Sequence, residues 1–378
     1  MRIGILRTIP TFSFSMDVYA DGLVRGLNKV RPDWEIIEFT PKIDLATGEK
    51  GAIQQGLEKY YERYWRYPIR LKQESVDLFH IIDHSDGHLL YWLRNWKKPT
   101  VITCHDLINW VQPETFKGKA LLPAVSMTAW KLAVKGIELA DQVVSVSTHT
   151  KTDIVNYLDV PPEKVTVVPN AVEPVFRQLD ELTIEAFREE KKLSSDTFYL
   201  LNVGSNNLRK NVLSALKAAV RLREKGIPIG FLKTGADFTS EQKTFIASSG
   251  LAGCVRYLGK PDQSALIKIY NAAHVLIAPS TYEGFGLTIL EAMACGTPVV
   301  TSNVTSLPEV AGKAAILVDP MDIDSMVESI LRLYKEPATC DRYRQLGLDR
   351  VASFTWEKTA EQVANIYESI PIKERVLS

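Results

Sequence analysis

The chain has 378 residues, longer than one hydrophobic core usually grows, so two domains of about 150 to 200 residues each are expected. Apolar residues make up 46% and charged residues 24%, with no low-complexity tract, which excludes a disordered protein. Lys plus Arg and Asp plus Glu both number 45, so no global field gathers nucleic acid, and any anion site must be local.

The opening run, Met1-Arg2-Ile3-Gly4-Ile5-Leu6-Arg7, reads as a buried strand rather than a signal peptide, because Arg7 interrupts it at once. No stretch reaches the roughly 20 apolar residues of a membrane-spanning helix. Cys104, Cys254, Cys295 and Cys340 lie far apart without CxxC spacing, so a reducing, cytoplasmic location is expected. Tyr60, Tyr61, Arg63, Tyr64, Trp65, Arg66, Tyr67, Arg70 and Lys72 crowd one segment. Either this is a surface helix that packs its rings inward, or it grazes the inner face of a membrane or stacks on a sugar or lipid-linked acceptor.

Strands are expected at 3–6, 78–82, 101–104, 143–147 and 165–168, alternating with helix-length segments, the pattern of parallel α/β layers. His80, His84 and His88 recur at helical spacing, but the strand at 78–82 breaks that face, so no metal site is expected. His105-Asp106 closes the strand at 101–104, at the end where open α/β sheets place ligands. Ser147, with Thr150 behind it, reads as a helix cap. Pro169-Asn170-Ala171-Val172-Glu173-Pro174 suits an extended connector, which places a hinge near 171–182.

A second series follows at 198–203, 229–233, 255–258, 275–278, 299–301 and 316–318. The fold expected is α/β, two Rossmann-like doubly wound parallel sheets, with domains at 1–175 and 176–355. From 356 to 378, Ala360, Val363, Ala364, Ile366 and Tyr367 at helical spacing mark an amphipathic helix, for which the first domain is the candidate dock. Asp322-Ile323-Asp324 spells a metal-binding DxD, but it opens a helix, and capping explains it better.

Two turns carry chemistry. In Tyr282-Glu283-Gly284-Phe285-Gly286-Leu287-Thr288, just after a strand, the glycines admit a ligand to the backbone and the helix that follows aims free N–H groups at it. A diphosphate fits there, and Glu283 and Glu291 then suit neutral hydroxyls of a sugar and a ribose. Alternatively, Glu283 caps the helix and Glu291 is a solvated helix residue. The other turn, Gly204-Ser205-Asn206-Asn207-Leu208-Arg209-Lys210, ends in two cations whose charge would stabilise a leaving diphosphate in place of a metal. It is no P-loop, because Arg209 stands where that motif needs its second glycine.

The string from Glu283-Gly284-Phe285-Gly286-Leu287 through Leu290-Glu291-Ala292-Met293-Ala294 to Gly296-Thr297-Pro298 resembles the paired-glutamate motif of glycosyltransferase family 4. The turn Gly204 to Asn211 resembles the Gly-x4-Arg-Lys-Asn turn of family relatives that act on bacterial surface polysaccharides. The resemblance implies the GT-B fold, with two facing domains, and a metal-independent, retaining hexosyltransferase without cofactor. It implies that Glu283 contacts the donor sugar and that Glu291 holds the ribose. Gly204, Ser205, Arg209, Lys210, Gly284, Phe285, Gly286, Leu287 and Thr288 would bind the donor, with the side-chain contacts to phosphate resting on Arg209 and Lys210, and Tyr257 and Leu258 would lie near the base. His105 would point at the donor sugar, with Asp106 supporting it. Two departures stand out: Ser205 replaces an additional Arg found in some members, and Ser13 to Tyr19 replaces paired glycines, leaving Ser15 on the acceptor side.

The partners implied are a nucleotide-sugar donor, UDP-glucose ahead of GDP-mannose, and a glycan or lipid-linked acceptor, with no nucleic acid. The rivals are a sugar epimerase, hydrolase or phosphorylase of the same fold, and a non-catalytic two-lobed sugar-binding protein.

Overall fold

The computed structural model describes residues 1–9, 14–42, 52–113 and 123–371. It divides into two compact units, Met1–Ala171 with Trp356–Ser378, and Val172–Thr355.

In the first unit β1 (Arg2–Leu6), β2 (Glu35–Phe39), β3 (Leu78–Ile81), β4 (Thr100–Cys104), β5 (Gln142–Ser145) and β6 (Val165–Val167) form one sheet in the order β2-β1-β3-β4-β5-β6. Every pairing is parallel. β3 and β4 are buried along their whole length, as central strands covered on both faces must be. β2 has no counterpart among the expected strands. It is an edge strand whose two glutamates face cations, Glu35 accepting from Arg2 and Glu38 from Arg7, each at 2.7 Å.

The helix Trp356–Ser369 lies on the helix Phe14–Val30 and shares its core, where Trp356, Ala360, Val363 and Tyr367 meet Ile3, Ile5, Leu23 and Leu27. Close approach demands small residues, and a Cβ at Gly22 or Gly26 would overlap Trp356. Arg31 ties the ends together through Glu361 and Glu368, at 2.9 Å each.

The second unit repeats the plan with β7 (Phe198–Gly204), β8 (Ile229–Gly235), β9 (Val255–Tyr257), β10 (Val275–Ala278), β11 (Val299–Ser302) and β12 (Ile316–Val318), in the order β12-β11-β10-β7-β8-β9. The winding reverses between β7 and β10. Ligands of such sheets sit at the carboxyl ends of the strands flanking that switch point, and there the chain runs on into Gly204 on one side and Pro279–Glu283 on the other.

Two expectations on local structure are settled at this level. Ser147 caps its helix, accepting from Thr150 N at 3.0 Å, and Asp322 caps the helix Ile323–Lys335, accepting from Ser325 N at 3.0 Å. His80, His84 and His88 fall in a strand, a turn and a helix start, and among the described residues no group of metal-ligating side chains assembles. Of the segment Ser13 to Tyr19, all but Ser13 lies in the first helix of the chain. The helix begins at Phe14, so Ser15 occupies its first turn, while Ser13 lies outside the described residues.

Candidate functional site

Both turns singled out in the second half of the chain open onto the switch point of the second sheet. β7 ends at Gly204, with φ of 119°, and the chain then makes one tight turn, Leu208–Lys210, capped by Asn207. The helix that follows starts at Val212, so Arg209 and Lys210 precede it rather than form its first turn. Thr281 N donates to the Arg209 carbonyl at 2.7 Å, and Arg209 Nη1 donates to the Tyr282 carbonyl at 2.9 Å, which stitches the two turns together.

Glu283 is the centre of the cluster. One carboxylate oxygen accepts from Arg209 Nη1 at 2.6 Å, and the other accepts from Lys210 Nζ at 2.5 Å and from Ser280 Oγ at 2.8 Å. Burial would raise this carboxyl, but the Lys210 ammonium and the Arg209 guanidinium override it and hold it down at about 2. Glu283 is therefore ionised and bound to cations rather than capping the helix. Ser306 Oγ fixes the loop behind it, donating to the carbonyls of Glu283 and Phe285.

The helix Leu287–Ala294 starts at Gly286, whose φ of 111° only glycine adopts without strain. Gly284 and Phe285 are buried, and the Phe285 ring packs edge-on against Phe354, so its side chain supports the turn from within. Leu287 and Thr288, in the first helical turn, are half-buried. One turn on, Glu291 accepts from the hydroxyl of the fully buried Tyr270 at 2.7 Å. Its carboxyl is raised by burial, with Tyr270 and Lys210 opposing the rise. Lys210 thus acts on both glutamates, and the four residues read from the two motifs form one electrostatic unit. Ser205 is exposed and adds no side-chain contact to this cluster. Tyr257 Oη donates to the Gly235 carbonyl and Leu258 N to the Lys233 carbonyl, both at 2.8 Å, so these groups are already engaged.

Sequence reasoning did not find Tyr270, Ser280 and Ser306, the supports of the two glutamates. Ser280 lies three residues before Glu283, but a serine there reads only as turn chemistry. Tyr270 comes from another helix and gives no local signal.

In the first unit His105 is buried at the end of β4. Its Nε2 donates to the Ile82 carbonyl at 2.8 Å, and its ring stands edge-on to Tyr19. Burial lowers its pKa, with Asp83 opposing, so the ring is neutral and its tautomer fixed. Asp106 accepts from Ile108 N at 3.1 Å, stabilising its own turn. The aromatic segment corrects the inward-packing expectation. Tyr67 is buried, but Tyr60, Tyr61 and Trp65 are exposed, and Leu57 and Ile69 continue their row at four-residue spacing.

Two family models match the chain, Glycosyltransferase Family 4 over residues 18–176 and Glycosyl transferases group 1 over 183–350. Among similar proteins is an O-antigen chain mannosyltransferase B of Escherichia coli, 30% identical over 62% of this chain and 62% of its own length. Another is a serotype-specific mannosyltransferase WbdA of Escherichia coli, 29% identical over 77% of this chain but only 37% of its own length. The chain therefore spans less than two thirds of either relative. A solved sucrose-phosphate synthase from Thermosynechococcus elongatus superposes with a TM-score of 0.78, at 20% identity, over 97% of this chain and 98% of that one. Anabaena HepE in complex with UDP-glucose gives 0.76, at 17% identity, over 98% and 100%. These likenesses establish the GT-B fold, and with both family models in their expected order, the chain belongs to glycosyltransferase family 4.

Proposed function

We propose that this protein is a retaining, metal-independent hexosyltransferase that moves a sugar from a nucleoside diphosphate donor to a saccharide or lipid-linked acceptor in bacterial surface polysaccharide synthesis. The observation that carries it is the Arg209–Lys210–Glu283 cluster beside the helix start at Gly286. Two half-buried cations and the backbone N–H groups of a helix start suit a departing diphosphate, whose charge grows as the glycosidic bond breaks. Glu283 neutralises those cations. A diphosphate takes its place, and the carboxylate turns to neutral sugar hydroxyls, while Glu291, steadied by Tyr270, takes the ribose diol. For His105 we propose a part in the transfer step, as a neutral ring of fixed tautomer.

For the donor, the mannosyltransferase names of the O-antigen relatives support GDP-mannose over the UDP-glucose favoured from sequence. We also propose a peripheral contact with the cytoplasmic face of a membrane through Leu57, Tyr61, Trp65 and Ile69, with Lys59, Arg66 and Arg70 on the same segment for anionic headgroups. No helix among the described residues is long and apolar enough to cross one.

The test is calorimetric titration of UDP, GDP and ADP into wild type and Glu291→Ala with EDTA present. Tight binding of one nucleotide that the variant loses supports the reading. Absence of binding by all three overturns it. Retention is read from the anomeric configuration of the product by NMR, and the membrane contact from co-sedimentation with anionic vesicles, which Trp65→Glu should abolish.

A further inference from the structure

An ammonium in the middle of a buried strand needs a reason, because a β-branched residue would fill the place without the cost of desolvating a charge. Lys233 is such a group. It lies in β8 opposite Asn202 of β7 and Tyr257 of β9, with no exposed surface. Its Nζ donates to the Gly204 carbonyl at 2.7 Å and to the Thr234 carbonyl at 2.8 Å, and among the described residues no carboxylate is within hydrogen-bonding distance. Gly204 is the residue from which the turn bearing Arg209 and Lys210 departs. The Lys210 side chain lies beside it, since a Cβ on Gly204 would lie 3.9 Å from Lys210 Cε. Two ammonium groups thus approach one strand end. The charged groups acting on Lys233 are Lys210, of like sign, and Asp237, which is itself paired with Lys243 at 2.5 Å. The Tyr257 hydroxyl, the titratable group of the neighbouring strand, is taken up by the Gly235 carbonyl.

We propose that Lys233 is a positioning residue of the donor site, its buried ammonium holding the Gly204 carbonyl so that the turn carrying Arg209 and Lys210 is set to receive a diphosphate, and lending that turn a third positive charge. This rests on the donor-site reading above. Burial, and after it the Lys210 ammonium, push Lys233 down to about 8, with Asp237 opposing. A diphosphate beside Lys210 supplies the missing countercharge and raises it again. Nucleotide binding therefore takes up a proton near pH 8, and affinity falls as pH rises through that value. Phosphate drawn to cations would release protons instead, so the sign of the exchange identifies the lysine.

The experiment is titration of GDP and UDP into the full chain at pH 7, 8 and 9, in two buffers of different ionisation heat, for wild type, Arg209→Ala and Lys233→Met. The methionine keeps the length of the stem and removes the ammonium. The expected result is proton uptake near pH 8 in wild type, lost in Lys233→Met together with roughly ten- to a hundredfold in affinity, the range for one charged hydrogen-bonding group. If wild type binds with no proton uptake between pH 7 and 9, the proposal fails, and this arm stands even where the variant does not fold. Equal affinity and equal uptake in Lys233→Met also overturn it. If wild type binds neither nucleotide, or Arg209→Ala binds as wild type does, it is the donor-site reading itself that fails.

Discussion

The carboxyl ends of the two sheets are furnished in opposite ways. Near the ends of β3 and β4 the imidazoles of His80 and His105 are buried and without charge, while the buried Asp83 and the Arg63–Asp86 ion pair follow β3. Burial, with a small push from His105, takes His80 down to about 3, while Tyr367 and Thr103 satisfy its two nitrogens at 2.5 and 2.8 Å. At the ends of β7 and β10, by contrast, full charges meet at Glu283, Arg209 and Lys210. A neutral hydrogen-bonded group orients a neutral partner and changes little when that partner leaves. A charged cluster must always hold a counter-ion, so it is built for exchange, with the resident carboxylate giving way to an incoming anion.

The strongest way to break this contrast is to remove a cation. Arg209→Ala should lower the transfer rate by about a hundred- to a thousandfold, the usual cost of losing one preorganised group at a developing charge. His105→Asn should leave nucleotide affinity near wild type. Steady-state rates and calorimetry on both variants check it, and a loss of nucleotide binding in His105→Asn would erase the distinction.

Acid separates the regions next. Glu283 has its folded value depressed to about 2 from an ordinary 4.5, so its stabilisation is present above pH 4.5 and is lost as pH falls from there toward 2. That is worth about 3 kcal/mol. His80 is depressed to about 3 from 6.5, so its stabilisation is present above pH 6.5 and drains away between 6.5 and 3. Urea unfolding against pH should therefore show Glu283→Gln flattening the loss below pH 4.5, and His80→Gln flattening it from pH 6.5 downward. If Glu283→Gln flattens the loss between pH 6.5 and 4.5, or His80→Gln leaves that interval unchanged, the charges are assigned to the wrong groups.

A smaller effect belongs to Tyr367→Phe, which leaves His80 Nδ1 buried without its partner at a cost of about 2 kcal/mol in urea unfolding, while nucleotide affinity is unchanged.

What could be read from the chain follows the range of each interaction. Glu283, Glu291, Arg209 and Lys210 were legible because each motif is a contiguous turn whose residue types already state its chemistry. That both turns open at one switch point was not legible, because it depends on β10 pairing with β7 across the sheet. β2 was missed because Glu35 and Glu38 disguise an edge strand whose charges are met by Arg2 and Arg7, residues of a different strand and the turn after it. The dock of the tail helix depended on Gly22 and Gly26, which look like ordinary helix defects until Trp356 lies against them. Lys233 was visible within an expected strand, but nothing local says that its ammonium meets the end of the neighbouring strand.

Tyr270 is the sharpest small test, because it touches only the carboxylate end of the charged cluster. Its hydroxyl donates to one oxygen of Glu291, whose other oxygen accepts from no described side chain. Tyr270→Phe keeps the ring that packs edge-on to Phe176 and removes that one donor. About 1 kcal/mol, or roughly fivefold in nucleotide affinity, should be lost. The loss should deepen at mildly acid pH, because the hydroxyl is one of the two influences holding the buried Glu291 carboxyl down. If Glu291 grips the ribose, the free nucleoside must weaken by the same factor as its diphosphate, whereas Arg209→Ala should weaken the diphosphate alone. Should Tyr270→Phe spare the nucleoside and weaken only the diphosphate, Glu291 acts through Lys210 on the phosphates, and the division of labour within the cluster has to be redrawn.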